Sequence, residues 1–179
     1  MMKCKAVLKH LSNLFFKDYS ESDCPELMRK PGRPYNCLMI NSHSGYYVCI
    51  PFRSHINHSN SYMFTSTERS KKTSSGLDFS KIVIISDEKY FATTNAVVDQ
   101  DEYNEAVANM DKIISKAEKY INGYIEHKKG TKVMHPREYD RKYKFSTLPY
   151  FNDVLLLDNQ KSIPKPECAD KITHDTQFV

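Results

Sequence analysis

The chain has 179 residues, 40% of them hydrophobic and 27% charged, which suits one domain with a substantial core and excludes a disordered chain. A net charge of +4 excludes an overall cationic field, so an anionic partner has to be met by local clusters among the 26 Lys and Arg. Five scattered cysteines without C-x-x-C spacing exclude a disulfide framework and a zinc site.

In chain order, KCKAVLKH predicts a short first strand, and LSNLFFKDY a short helix with Leu11, Leu14 and Phe15 on one face. Lysines interrupt this N-terminus before an apolar leader can form, and no apolar run is long enough for a bilayer. With reduced thiols, that predicts a cytoplasmic protein with no membrane partner. ESDCPELMRKPGRP, with three prolines and a glycine, reads as a connecting loop that exposes Arg29, Lys30 and Arg33. YNCLMINSHSGYYVCIPF has two β-rich runs around a turn, predicting a hairpin with strands from Tyr35 to Asn41 and from Tyr46 to Phe52. Pro51 cannot donate to a ladder and is expected at an edge or a strand end.

A third strand is expected around Ser61 to Thr67, then the polar run ERSKKTSSG, then a buried strand from Lys81 to Ser86 and a short one from Tyr90 to Thr94. From Asp99 to Gly130, apolar residues recur at spacings of three and four, including Ala106, Met110, Ile113, Ala117, Tyr120 and Tyr124. They predict one long amphipathic helix, started by Asp99 and Glu102 and ended by basic residues and Gly130, packed on the sheet. FSTLPYFNDVLLL offers Ser146 as the N-cap of a final helix. The polar, proline-punctuated residues 161–179 read as a flexible tail beyond a single domain of residues 1–160.

Two segments could carry chemistry. REYDRKYKF interleaves Arg137, Arg141, Lys142 and Lys144 with Tyr139, Tyr143 and Phe145, cations for phosphates beside faces for unpaired bases; a solvated basic face with inward tyrosines explains the same pattern. IPFRSHINHS places Arg53, Ser54, His55 and His58 at a strand exit. His55 and His58 lack a second ligand pair for a metal, and no G-x-S-x-G elbow surrounds Ser54. The cluster does fit metal-free phosphoryl transfer, in which a cation stabilises phosphate charge and a near-neutral side chain moves a proton. A hydrogen-bonded surface turn remains the plain alternative.

The succession RPYNCLMI, YYVCIPFRSHINH, SGLDFSKIVIISDEKY, the long helix and YKFSTL resembles the toxins of type III toxin–antitoxin systems, the TenpN branch related to ToxN and AbiQ, over roughly Tyr35 to Leu157. The resemblance implies an α+β fold, a compact and strongly twisted antiparallel sheet flanked by helices, similar to MazF-like toxins. It implies an endoribonuclease without metal or cofactor that cuts single-stranded RNA to 2′,3′-cyclic phosphate ends. The expected partners are a structured, repeat-derived RNA antitoxin that the toxin processes and that bridges a higher-order complex, and cellular or phage mRNA as substrate, with a role in phage defence. Ser54 matches the family's hallmark serine. Relatives carry threonine before it and lysine after it, where this chain has Arg53 and His55, so the base and the cation stay open among Arg53, His55, His58 and Lys81, the last matching a family position at a strand start. Ser146 and Thr147 match within KFSTL and, with Arg33, Tyr35 and the Arg137–Lys144 cluster, are assigned to RNA. A non-catalytic RNA-binding module and a structural protein are the competing classes.

Overall fold

A computed structural model describes residues 7–27, 35–42 and 44–155; Arg33, the rest of the Arg29 to Arg33 cluster and the predicted tail lie outside them. The described chain is α+β. Its strands are β1 (Val7–His10), β2 (Asn36–Asn41), β3 (Tyr47–Arg53), β4 (Ser61–Met63), β5 (Gly76–Asp78) and β6 (Val83–Ile85), all paired antiparallel. The order is β1-β2-β3-β5-β4, with β6 also on β3.

β3 is the axis. One edge pairs with β2, from Asn41↔Tyr47 to Cys37↔Pro51. The other pairs first with β6, as far as Cys49↔Val83, and then with β5, from Phe52↔Leu77. Between those pairs β3 advances three positions and the returning chain six, so the excess is taken up in a 3₁₀ turn at Phe79–Lys81. Pro51 thus sits inside β3 and not at its end, beside this detour, where its missing N–H leaves no gap in a regular ladder on that side. The detour sets Asp78, Ser80 and Lys81 beside the end of β3.

The helices differ from expectation in instructive ways. The long apolar stripe forms two helices, α3 (Gln100–Ala108) and α4 (Met110–Lys128), parted at Asn109, whose backbone leaves helical geometry (φ −113°, ψ 21°) while its side-chain amide donates back to the Glu105 carbonyl at 2.9 Å. Asp99 caps α3 as predicted, accepting from the Asp101 and Glu102 amides. The expected strand at Ser61 to Thr67 stops at Met63, because Thr67 caps a short helix, α2 (Glu68–Thr73), by accepting from the Ser70 amide. The basic stretch after His135 is itself helical, α5 (Pro136–Tyr143), with His135 accepting from the Arg137 amide and proline at its first position. In place of the strand expected from Tyr90 to Thr94, Phe91 pairs with Leu11 in an isolated bridge. Ser146 accepts from the Leu148 amide at 3.2 Å and opens a 3₁₀ turn, Leu148–Phe151, ahead of the short α6 (Asn152–Leu155).

The core lies where α1 (Asn13–Asp18), α4 and the C-terminal turns cover the sheet: Phe15, Leu38, Ile50, Leu77, Ile82, Ile113, Tyr124, Leu148 and Phe151 are fully buried. Each such large apolar side chain contributes about 1.5–3 kcal/mol by leaving water. Among the described residues, no helix is long and apolar enough to cross a membrane, and Cys24, Cys37 and Cys49 are buried in the core.

Candidate active site

Asp78 is the last residue of β5, and its carboxylate is wholly buried, yet three donors meet it and His58 stands near. The Ser80 amide and hydroxyl donate to Oδ1 at 2.8 and 2.7 Å. Arg53 Nη1 donates to Oδ2, and His58 Nε2 stands 3.5 Å from Oδ1. The Arg53 and His58 side chains rise toward solvent, 25% and 32% exposed. Local chain geometry builds this cluster: the pairing Arg53↔Gly76 brings the strand exit beside β5, and Ser61↔Asp78 returns the His58 loop to the same place. A buried carboxylate is tolerated only when paired and bonded, so Asp78 holds the Arg53 side chain, with His58 Nε2 beside it.

The neighbouring wall comes from residues expected at an RNA site. Tyr35 is buried and its hydroxyl donates to the Lys81 carbonyl at 2.5 Å. Burial pushes its phenol well above the ordinary value; Asp78 adds to the rise and Arg53 opposes it. The Lys81 ammonium donates to Glu26 at 2.5 Å and to the Phe145 carbonyl at 2.8 Å, with its side chain 11% exposed. It therefore ties the detour to the segment after α5. Thr147 is buried, its amide donating to the Ser80 carbonyl at 3.0 Å and its hydroxyl to that of Ile82. Ser146 is buried too. Both act here as scaffolding of the turn under Asp78.

Ser54 and His55 lie elsewhere. Just past the end of β3, the Ser54 hydroxyl accepts from Arg69 Nη2 at 3.0 Å and makes no hydrogen bond to Asp78 among the described residues. Arg69 also donates to Glu102 at 3.2 Å, and Ser75 donates to the other Glu102 oxygen. Glu102 is almost fully buried; burial pushes its carboxyl above the ordinary 4.5 against the pull of Ser75 and Arg69. His55 is exposed at the turn out of β3, in the left-handed region at φ 57°, its amide donating to the Thr73 carbonyl at 2.6 Å. The cluster Arg137–Lys144 lies on α5 and its end: Arg137, Arg141 and Lys144 are exposed, Tyr143 is buried, and the Lys142 carbonyl accepts from Asn60 at 3.2 Å and Tyr120 at 3.0 Å. Asn60 thereby anchors the end of α5 to the His58 loop.

Arg53 with His58 can stabilise phosphate charge and move a proton. A hydrolase relay is not formed: Ser80 Oγ and Asp78 Oδ1 both face the same nitrogen, His58 Nε2, at 3.5 Å, whereas a Ser–His–Asp relay uses both ring nitrogens. Among the described residues, no group of three or more His, Cys, Asp or Glu is arranged to hold a metal ion. The sequence reading missed Asp78, although a lone acid inside the apolar run GLDFSKIVII is itself a sign that a buried partner is waiting. Comparison with protein-family models, curated proteins and solved structures finds no match.

Proposed function

We propose that the protein is a metal-independent endoribonuclease acting on single-stranded RNA, a toxin of the type III kind that its motifs resemble. The observation that carries this reading is the convergence of Arg53 and His58 on the buried Asp78. His58 takes the proton of the 2′-hydroxyl, the 2′-oxygen attacks the adjacent phosphorus, and the P–O5′ bond breaks as O5′ gains a proton from His58 in turn or from water. The products are a 2′,3′-cyclic phosphate and a 5′-hydroxyl. Arg53 meets the charge on the nonbridging oxygens, a role suited to a group that stays charged. His58 rather than His55 takes the proton because it stands beside Arg53. Ser54 and Lys81 enter only through the resemblance, as does a MazF-like form of the sheet. A cytoplasmic setting and a repeat-derived RNA antitoxin belong to the same reading, and a tandem-repeat array immediately upstream of the gene would encode that antitoxin.

A second reading, a non-catalytic RNA-binding module, is favoured by one detail: His58 Nε2 faces Asp78 and Ser80, and its Nδ1 is buried without a partner among the described residues. Cleavage through His58 therefore needs the 3.5 Å contacts to rearrange on substrate binding, as contacts in unliganded sites do. Incubation of the purified protein with end-labelled single-stranded RNA in EDTA separates the two. Cleavage with cyclic phosphate ends, abolished by Arg53→Ala and His58→Gln and by 2′-deoxy substitution at the cut site, supports the enzyme. Salt-sensitive binding with the RNA left intact supports the module, and no RNA binding at all rejects both.

A further inference from the structure

The sequence pattern leaves the polar face of the long helix to solvent, but the structure gives part of it a cleft. Between β4 and α4 lies a cleft of about 580 Å³ lined in part by His58, Ser59, Tyr62, Glu105, Lys112 and Lys116. Lys112 and Lys116, one helical turn apart on α4, bring their ammonium groups over the same Tyr62 ring, 5.9 and 5.8 Å from its centroid. Like charges at this spacing repel, and among the described residues neither lysine has a carboxylate within ion-pair distance, whereas Lys71, Lys81, Lys89, Arg53 and Arg69 each do.

Glu105 is the acid in the cleft, and its oxygens are engaged: one accepts from the Thr65 amide and hydroxyl at 2.9 and 3.3 Å, the other from the Ser66 amide and hydroxyl at 3.0 and 2.5 Å. That leaves two cations focused on a polar cleft that opens beside His58, the residue the cleft shares with the Asp78 cluster.

We infer that this cleft is a subsite for single-stranded RNA, in which Lys112 and Lys116 hold backbone phosphates of the strand leading away from the Arg53–His58 cluster. The inference rests on the ribonuclease reading for the identity of its ligand. Charge complementarity selects a polyanion, and the shared His58 makes the bound strand continuous with the one at Arg53.

The test measures binding of a non-cleavable, single-stranded 2′-O-methyl RNA by fluorescence anisotropy across a salt series, for wild type, Lys112→Gln/Lys116→Gln and Lys112→Arg/Lys116→Arg. Glutamine removes the charges and keeps a polar, helix-compatible side chain; both positions are exposed, and an unchanged circular dichroism spectrum verifies folding. With two phosphates no longer neutralised, the log–log salt slope falls by about 1.4, and arginine restores it. A wild-type slope in the glutamine variant overturns the subsite and leaves the ribonuclease reading standing. Failure of the wild type to bind or cleave any RNA overturns both.

Discussion

Asp78 is the residue on which the candidate site depends, and its environment makes its removal costly in a specific way. Replacing it with alanine leaves Arg53 without its partner and the Ser80 amide and hydroxyl without their acceptor. Breaking a buried pair by removing one member costs about 3–5 kcal/mol, and urea unfolding of Asp78→Ala is expected to show a loss of that order. Arg53→Ala, with a side chain 25% exposed, leaves the carboxylate uncompensated in turn. The double variant should therefore be less destabilised than the sum of the singles, since the pair acts as a unit. Additive losses would show that Arg53 and Asp78 are not coupled.

At the scale of elements, α3 is held by two carboxylates whose proton linkage has opposite signs. Burial raises Glu102 above 4.5. The folded state therefore binds a proton longer than the unfolded state, and stability falls as pH rises from about 4.5 through the folded value. Burial also pushes Glu105 upward, but the Ser66 and Thr65 donors outweigh it and bring the carboxyl below 4.5. Its contribution is present above 4.5 and is lost as pH falls through the lowered value. Urea midpoints across the acid range should show that Glu102→Gln flattens the decline above 4.5 and that Glu105→Gln removes part of the acid loss below it; the reverse assignment would reject these environments. β5 makes its own demand at Gly76, where an added Cβ would stand 2.3 Å from the Tyr62 carbonyl oxygen and 3.0 Å from Met63 Cα. These are backbone atoms of β4 and cannot swing aside, so Gly76→Ala is expected to destabilise the protein by about 3 kcal/mol. Because Ser61↔Asp78 closes the same ladder, the ribonuclease reading has the variant lose RNA cleavage as well. Wild-type unfolding of Gly76→Ala would mean that β4 can stand off from β5.

Across the whole molecule, what the sequence made legible and what it hid follow from the range of each interaction. The β2–β3 hairpin and the apolar stripe of α4 are readable because their signals are periodic and local. Arg53 and His58 are readable because strand exits concentrate polar side chains. The break at Asn109 is hidden, since an asparagine side chain turning back on Glu105 leaves no mark on the period. α5 reads as a charge cluster, although His135 followed by Pro136 is a helix start. The partnership of Arg53 with Asp78, 25 residues apart, depends on a register set by the Phe79–Lys81 detour, which no local pattern announces. The same geometry leaves Arg141 and Lys144 exposed at the end of α5, while Asn60 holds the Lys142 carbonyl to the His58 loop. Under the ribonuclease reading, Arg141→Ala/Lys144→Ala is expected to lower the salt slope of RNA binding by about 0.7 for each phosphate that is no longer neutralised. An unchanged slope would turn this face away from RNA.

The bond from the Ser80 amide to the buried Asp78 oxygen, 2.8 Å long, makes that amide a built-in clock. Its deuterium uptake requires the β3–β5 junction to open and admit water to the carboxylate, because Asp78 has no exposed surface of its own. The exchange lifetime at this single amide thus reads the integrity of the Arg53–Asp78 pairing in the intact chain, without any assay of activity.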